Sequence, residues 1–560
     1  MSLRMMLNAF RNARARSLRA SGSSCCTNVP RRSYKTSSGS GPSSPQVQGV
    51  SAGYILAGGT VASVIVWHGS LQPSLRNEAM ELESGVSLAE APRLKLIPFD
   101  EVARHNKRDD CWVIIHGEVY DVTRFIPIHP GGLQAILKLA GKDVTKAFAP
   151  IHSLDVLLEL PQEAHVGSLD LATAPAEALQ DSDEDIRIRK VREALPPPEA
   201  ALNLNEIEKL ATTVLTNVAY AYYASAGDDE YTFHENSDAY KRYWFRPRVM
   251  NKVSRISTAS SMLGVPTSLP VFVCPAALAR LGHPGGEVNI VQAAAKEGII
   301  QGISINASCS LDEIAAARKP NQPLMFQIYL DRHRPNSERL LRRVERDGYK
   351  AIMLTVDSAV PGKRERDQRA KGDFQAPATS GADGQGALGV AQAISGYQDP
   401  DISWDDIAWI RSITSLPLII KGVQCVEDVE KAHQHGVEGV VISNHGGRSL
   451  DFSPAPIDVL HELNQRRPDL THNSKFEVYV DGGVRRGTDV IKALCLGAKG
   501  VGLGRPILYG NGAWGEPGVR RVIQIIREEV ETSMRLLGVT RIEDLKPEMV
   551  KYVDRDPGRR

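Results

Sequence analysis

Gly439-Val440-Val441-Ile442-Ser443-Asn444-His445-Gly446-Gly447-Arg448 joins a short apolar run to a polar, glycine-rich turn. A run of this length bounded by a turn reads as a buried strand. At its end an imidazole and a guanidinium stand three positions apart. Gly446 and Gly447 let the backbone between them turn sharply and approach a ligand closely. A proton acceptor beside a fixed cation suits a substrate that carries a removable proton and a carboxylate.

The same rhythm of apolar run, turn and helical segment recurs on both sides. The runs fall at 271–275, 299–304, 324–329, 351–357, 418–423, 440–444, 478–482 and 501–504. Eight strands alternating with helices predict an α/β fold, a (β/α)8 TIM barrel. Polar residues collect where the runs end: Gln327, Tyr329, Thr355, Asp357, Lys421, Asn444, His445 and Asp481. That is the face on which barrel enzymes place their chemistry. The last two strands are followed by Asp481-Gly482-Gly483-Val484-Arg485 and by Gly504-Arg505. Exposed backbone N–H groups and a helix end there predict a phosphate site. No GxGxxG opens a βαβ unit, so a nicotinamide cofactor is not expected.

Charge divides the chain unevenly. Residues 1–77 hold nine Lys or Arg and no Asp or Glu, leaving 58 basic against 66 acidic residues in the remainder. A net −8 there is no nucleic-acid footprint. The first 45 residues are Arg- and Ser-rich, the composition of a mitochondrial presequence. The apolar stretch 50–67 is at the lower limit for a membrane span. It reads either as a retained anchor or as a sorting signal cleaved on the way to the intermembrane space. The seven cysteines form no CxxC pair and read as structural thiols.

A compact unit spans residues 92–170. Cys111-Trp112-Val113-Ile114-Ile115 reads as a strand, His116-Gly117-Glu118 as a turn, and Val119-Tyr120-Asp121-Val122 as the return strand. His129-Pro130-Gly131-Gly132 follows, and His152 comes 23 residues after His129. Two neutral imidazoles facing across a planar macrocycle would fill both axial positions of iron and favour electron transfer. The run resembles the cytochrome b5 family, a small α+β haem domain. That resemblance implies a b-type haem (heme b) with His129 and His152 as axial ligands.

From about residue 203 to 547 the chain resembles the FMN-dependent L-2-hydroxy acid dehydrogenases and oxidases, and the tandem resembles the flavocytochrome b2 family. The resemblance implies FMN and a set of roles. His445 would be the base and Asp357 its orienting partner; Tyr329 would bond the substrate oxygen. Tyr222 in Ala221-Tyr222-Tyr223, Arg448 and Arg364 would hold the carboxylate. Lys421 would sit near flavin N1 and O2. Flavin contacts would come from Pro275, Ala276, Ala277, Ser304, Gln327, Thr355 and Lys421. The phosphate would lie on Asp481, Gly482, Gly483, Val484, Arg485, Gly504 and Arg505. Implied with these are oxidation of an L-2-hydroxy acid such as L-lactate, cytochrome c as electron acceptor, and a homo-oligomer, a tetramer in the family. Two other readings stay open: an oxidase using O2 with a peripheral haem domain, and a haem electron-transfer protein with an inactive barrel.

Three places depart from the family pattern. The glycine after the Tyr pair comes one position late, in Ser225-Ala226-Gly227, and Pro361 is moved downstream of Asp357. Asn306 replaces an apolar side chain beside the substrate's R group. Residues 171–200, with an acidic cluster at 181–185 and Pro196-Pro197-Pro198, read as a semi-rigid linker. The acidic cluster would cap a short helix, and a hinge there would let the haem domain swing. Residues 371–400 read as a mobile loop. Residues 201–547 are expected to form the barrel domain, and 548–560 a tail.

Overall fold

The computed structural model describes residues 95–129, 133–176, 180–370, 390 and 394–554. The presequence, the apolar stretch at 50–67, Pro130-Gly131-Gly132 and most of the loop at 371–400 lie outside them. Among the described residues no helix is long and apolar enough to cross a membrane.

In the first domain five strands form one sheet in the order β1-β5-β4-β3-β2: β1 (Leu96–Pro98), β2 (Asn106–Lys107), β3 (Asp110–Ile115), β4 (Glu118–Asp121) and β5 (His165–Asp170). Strand β3 alternates as its pleat requires. Cys111, Val113 and Ile115 face one cluster with Val122, Ile126 and Val144. Ile114 faces the other with Ile97, Val119 and Leu169. Phe125 and Phe148 pack on the first cluster, and each touches one imidazole of the His129, His152 pair.

The connector is more structured than its composition implies. Helix Asp183–Glu193 starts at a capping box between Ser182 and Asp185. The acidic first turn therefore caps a helix, as the sequence reading expects. From the last turn of this helix onward the connector is docked. Arg192 donates to the carbonyls of Gly282 and Gly512, and Trp514 Nε1 donates to Pro196 O at 2.9 Å. On the haem side Lys146 Nζ reaches Asp181 and Asp185 at 3.1 and 3.0 Å. The semi-rigid linker expected at 171–200 thus contains a helix and is tied down along its C-terminal part, which narrows where a hinge could lie.

In the second domain β6 (Tyr243–Phe245) and the hairpin β7 (Ser260–Met262)–β8 (Val265–Thr267) precede the barrel. The barrel strands are β9 (Val271–Val273), β10 (Ile300–Ser304), β11 (Leu324–Ile328), β12 (Ile352–Thr355), β13 (Leu418–Val423), β14 (Gly439–Ile442), β15 (Glu477–Val480) and β16 (Gly500–Leu503). All pair in parallel, and β16 closes on β9. Period-2 alternation sorts their side chains. Phe272, Ile300, Met325, Met353, Ile419, Val441 and Tyr479 form the inner cluster, and Met262 from the hairpin plugs it. Val271, Val273, Phe326, Ile328 and Val440 turn outward to the helices. Each such buried side chain stabilises by about 1.5–3 kcal/mol. With the interior filled, the C-terminal rim is left for a ligand.

The tail expectation is corrected. β17 (Val550–Tyr552) pairs antiparallel with β6, so the barrel domain extends past 547. Tyr552 also stacks on His461, which explains why these residues hold a fixed place.

Candidate active site

Register brings the rim residues to one level. Ser304 pairs with Gln327 across β10 and β11, and Thr355 pairs with Lys421 across β12 and β13. A bulge follows Lys421 at Gly422, whose φ is +105°. A Cβ at Gly422 would stand 2.5 Å from the Asp357 side chain, so only glycine lets Asp357 tuck in there.

His445 has φ +59°, uncommon for a residue with a Cβ and a mark of functional strain. Ser443 and Asn444 hold it in that turn. Ser443 Oγ accepts from His445 N at 3.1 Å and donates to Asp481 Oδ1 at 2.6 Å. Asn444 exchanges amide hydrogen bonds with Asn236 and accepts from Gly447 N. Gly227 N donates to Gly447 O at 2.8 Å, so the displaced glycine after the Tyr pair lies directly on the His445 loop.

His445 Nδ1 lies 2.8 Å from Asp357 Oδ1, and the Asp357 side chain is fully buried. Burial pushes the Asp357 carboxyl upward, but His445 and Lys421 outweigh it and leave its pKa lowered. Burial lowers the His445 pKa, and Asp357 only partly opposes this. Lys421 is likewise disfavoured as a cation by burial, yet Asp481 and Asp357 hold its pKa above the usual value. Its ammonium stands 3.3 Å from Ser443 Oγ and 3.8 Å from Asp481 Oδ2.

Two adjoining cavities, one somewhat larger than the other, open on this rim and share Pro275, Ala276, Lys421, His445 and Arg448. The larger is lined by residues 481–485, Gly504 and Arg505. The smaller is lined by Tyr222, Ala277, Ser304, Gln327, Tyr329, Thr355 and Arg364. Every residue named for the site from sequence lines one of the two, except Asp357, which stands behind His445.

Three residues occupy these walls differently from the sequence reading. The Asp481 carboxylate turns to Ser443, Lys421 and Cys274 Sγ. A carboxylate would repel a phosphate, and this one balances Lys421 instead, while the backbone N of Asp481 donates to Ile442 O at 3.2 Å. Arg505 spends three nitrogens on the carbonyls of Tyr223, Gly446 and Ser225, so it contributes charge while bracing the loop. Arg448 donates to Tyr223 O while lining both cavities.

Arg364 keeps Nε and Nη1 buried and unpartnered beside the Tyr222 ring. Burial and the Arg448 charge lower its pKa to about 10. Burial, with Asp357 nearby, raises the Tyr329 phenol far above its usual value. Two guanidiniums and two neutral phenols facing one cavity describe a carboxylate clamp with hydroxyl donors.

Sequence reasoning missed Asn236, Ser443 as a hub, and Tyr397 with Gln398. Ser443 and Asn444 stand inside the quoted motif and could have been read from it. Asn236 carries no local signal. Tyr397 and Gln398 belong to the stretch read as a mobile loop, whose end at 394–400 is fastened to the rim. Arg332 N donates to Tyr397 O and Asp399 N to Leu330 O.

Comparison with known proteins matches these features. A family model for FMN-dependent dehydrogenase matches residues 211–552, and one for the cytochrome b5-like heme/steroid binding domain matches residues 98–170. L-lactate dehydrogenase (cytochrome) from Wickerhamomyces anomalus is 46% identical over 454 residues, covering 80% of this chain and 78% of that protein. Its Saccharomyces cerevisiae counterpart is 45% identical over 467 residues, with the same coverage. A solved flavocytochrome b2 with pyruvate bound superposes with a TM-score of 0.61 at 44% identity, over 66% of this chain and 92% of that one.

The cavities fit FMN. Gln327 Nε2 and Thr355 Oγ1 are buried without partners where a flavin's ring edge needs hydrogen bonds. Gly483, at φ +76°, could not carry a Cβ without meeting Asn236 O, so its backbone lies open to the phosphate end. The histidine pair fits haem. The His129 and His152 ring centroids lie 6.2 Å apart. That is close to the span expected with one metal between them at about 2 Å from each ring nitrogen. Burial, then His129, lowers the His152 pKa to about 4, keeping a lone pair available. The chain belongs to the FMN-dependent dehydrogenase family and joins to that barrel a cytochrome b5-like haem domain, the two-domain make-up of flavocytochrome b2.

Proposed function

We propose that the chain oxidises an L-2-hydroxy acid, L-lactate to pyruvate in the simplest case, and delivers the electrons to cytochrome c. The observation that carries the reading is one cavity lined by His445, with Asp357 paired behind it, by the Arg448 and Arg364 guanidiniums, and by Lys421. FMN supplies the two-electron acceptor and haem the one-electron relay when bound. Ser304, Gln327, Thr355 and Lys421 would hold the flavin ring, and the backbone at 482–484 with Arg485 and Arg505 its phosphate.

Arg448 and Arg364 bind the substrate carboxylate, assisted by Tyr222, and so orient C2 toward His445. With Nδ1 committed to Asp357, Nε2 is the nitrogen that takes the substrate proton. Asp357 then stabilises the imidazolium that forms. Tyr329, kept protonated, donates to the substrate oxygen. Lys421, kept charged by Asp481, balances negative charge arriving on the ring system.

Anaerobic stopped-flow mixing with L-lactate tests this: flavin absorbance must bleach, and the haem Soret band must shift next. Prompt haem reduction separates this enzyme from an O2-using oxidase, and bleaching separates it from a haem carrier with an inactive barrel. Loss of activity in acid should follow His445. Because its pKa lies below the ordinary 6.5, the neutral base persists until pH falls under that value, and kcat/KM declines only there. Asp357→Asn removes the charge favouring imidazolium, so the limb should move to still lower pH while the rate drops by about 10²–10⁴. A limb displaced upward in the pH–rate profile would contradict the pairing.

We further propose a mitochondrial location, in the intermembrane space, on the Arg-rich, acid-free first 45 residues. Assembly as a homo-oligomer accords with the family.

A further inference from the structure

The smaller cavity contains a group of polar side chains for which oxidation at C2 has no use. Asn306, in the turn after β10, lines this cavity. Its backbone is held at both ends: Asn306 N donates to Ser304 Oγ at 3.1 Å, and its carbonyl accepts from Leu278 N at 3.3 Å. Its Oδ1 accepts from the Tyr397 hydroxyl at 3.1 Å. The Nδ2 amide group donates to nothing among the described residues.

Beside Tyr397, Gln398 also lines the cavity and is only 6% exposed. Its Oε1 is buried with no hydrogen-bond partner. The segment bearing both side chains is fixed by the Tyr397 and Asp399 backbone bonds and by an antiparallel bridge between Gln398 and Asp331. A buried acceptor without a partner is costly unless a ligand supplies the hydrogen. Here one unpartnered acceptor and one unused donor line the same small cavity as the carboxylate clamp.

We infer that Asn306, Tyr397 and Gln398 form a subsite for a hydroxyl group on C3 of the substrate, which makes 2,3-dihydroxy acids preferred substrates. A C3 hydroxyl donates one hydrogen, matching Gln398 Oε1, and accepts one, matching Asn306 Nδ2. A methyl group of the same size satisfies neither and strands both. Tyr397 sets the direction of the Asn306 amide by occupying its oxygen. The inference rests on the proposed 2-hydroxy acid oxidation and adds to it the substituent at C3.

The test uses the full-length holoenzyme and three probes. L-glycerate and L-2-hydroxybutanoate differ only by hydroxyl against methyl on C3, and L-lactate serves as reference. Flavin bleaching should give a kcat/KM for L-glycerate at least about tenfold above that for L-2-hydroxybutanoate, because sites built to bond a hydroxyl discriminate strongly against its absence. Asn306→Leu and Gln398→Met should each lower that ratio by about tenfold or more, and Tyr397→Phe should lower it less. Calorimetric titration with the paired products, 3-hydroxy-2-oxopropanoate and 2-oxobutanoate, should show the same preference in Kd. That second measurement decides the matter even where a variant fails to retain FMN.

A wild-type ratio at or below one, or a ratio that neither Asn306→Leu nor Gln398→Met changes, would overturn the subsite while lactate still bleaches the flavin. Failure of all three acids to bleach it would instead overturn the oxidation itself.

Discussion

Replacing His445 by Gln is expected to lower the rate of flavin reduction by at least about 10⁴, the upper range for a positioned general base. Gln can fill the space but cannot accept a proton at neutral pH. It would also leave Asp357 buried without the imidazole that lowers its pKa, so that pKa should rise, with Lys421 still opposing burial. The absorbance of bound FMN and the Soret band should both survive, since neither cofactor depends on the proton acceptor. Transient kinetics under anaerobic conditions reads the effect directly. A variant that bleaches at the parental rate would remove His445 from the chemistry. It would leave the Arg448 and Arg364 clamp without a base on this rim.

His152→Ala should produce the opposite split. Haem absorbance should be lost, and reduction of cytochrome c should fall to the background of direct flavin oxidation. Bleaching of the flavin by substrate should continue at close to the parental rate. The reason is the separation of the two machineries. His152 touches Phe148 and faces His129 in the small domain, and no residue of that pair lines either barrel cavity. An artificial one-electron acceptor that bypasses haem should restore turnover. Unimpaired cytochrome c reduction without haem would show that electrons leave the flavin directly and that the first domain is a passenger.

Much of the barrel was legible because parallel strands buried on both faces leave short, nearly continuous apolar runs. Each of the eight runs marks a real strand, and polar residues at or near several of their ends, Ser304, Gln327, Thr355 and Lys421 among them, fall on the rim. Strand ends were read two residues too long at 351–357 and 440–444, because Asp357 and Asn444 belong to the loops that carry the chemistry. The haem module was legible through its resemblance to the cytochrome b5 family, carried by His129-Pro130-Gly131-Gly132 and His152.

Less was legible wherever a partner lay far along the chain. Asn236 and Asn444 are 208 residues apart, and no local pattern announces their amide exchange. Asp481 sits among glycines that read as a phosphate cradle, yet strand register turns its carboxylate toward Lys421. Gln398 and Tyr397 stand in a Gly-, Ala- and Ser-rich stretch whose composition says loop, and backbone bonds to Leu330 and Arg332 make its end a cavity wall. In the connector, composition implied a semi-rigid linker, while the distant carbonyls of Gly282 and Gly512 that hold Arg192, and the Trp514 bond to Pro196, were not legible.

The sequence by itself determined the order of domains, the eight-stranded barrel, and the kinds of group gathered at its rim, because burial periodicity and residue chemistry are local properties. Only the tertiary structure decided which charge answers which. Asp357 serves His445 and Asp481 serves Lys421, and Gln398 is left with an unanswered oxygen, because those pairings depend on distances set by barrel closure, not by position along the chain.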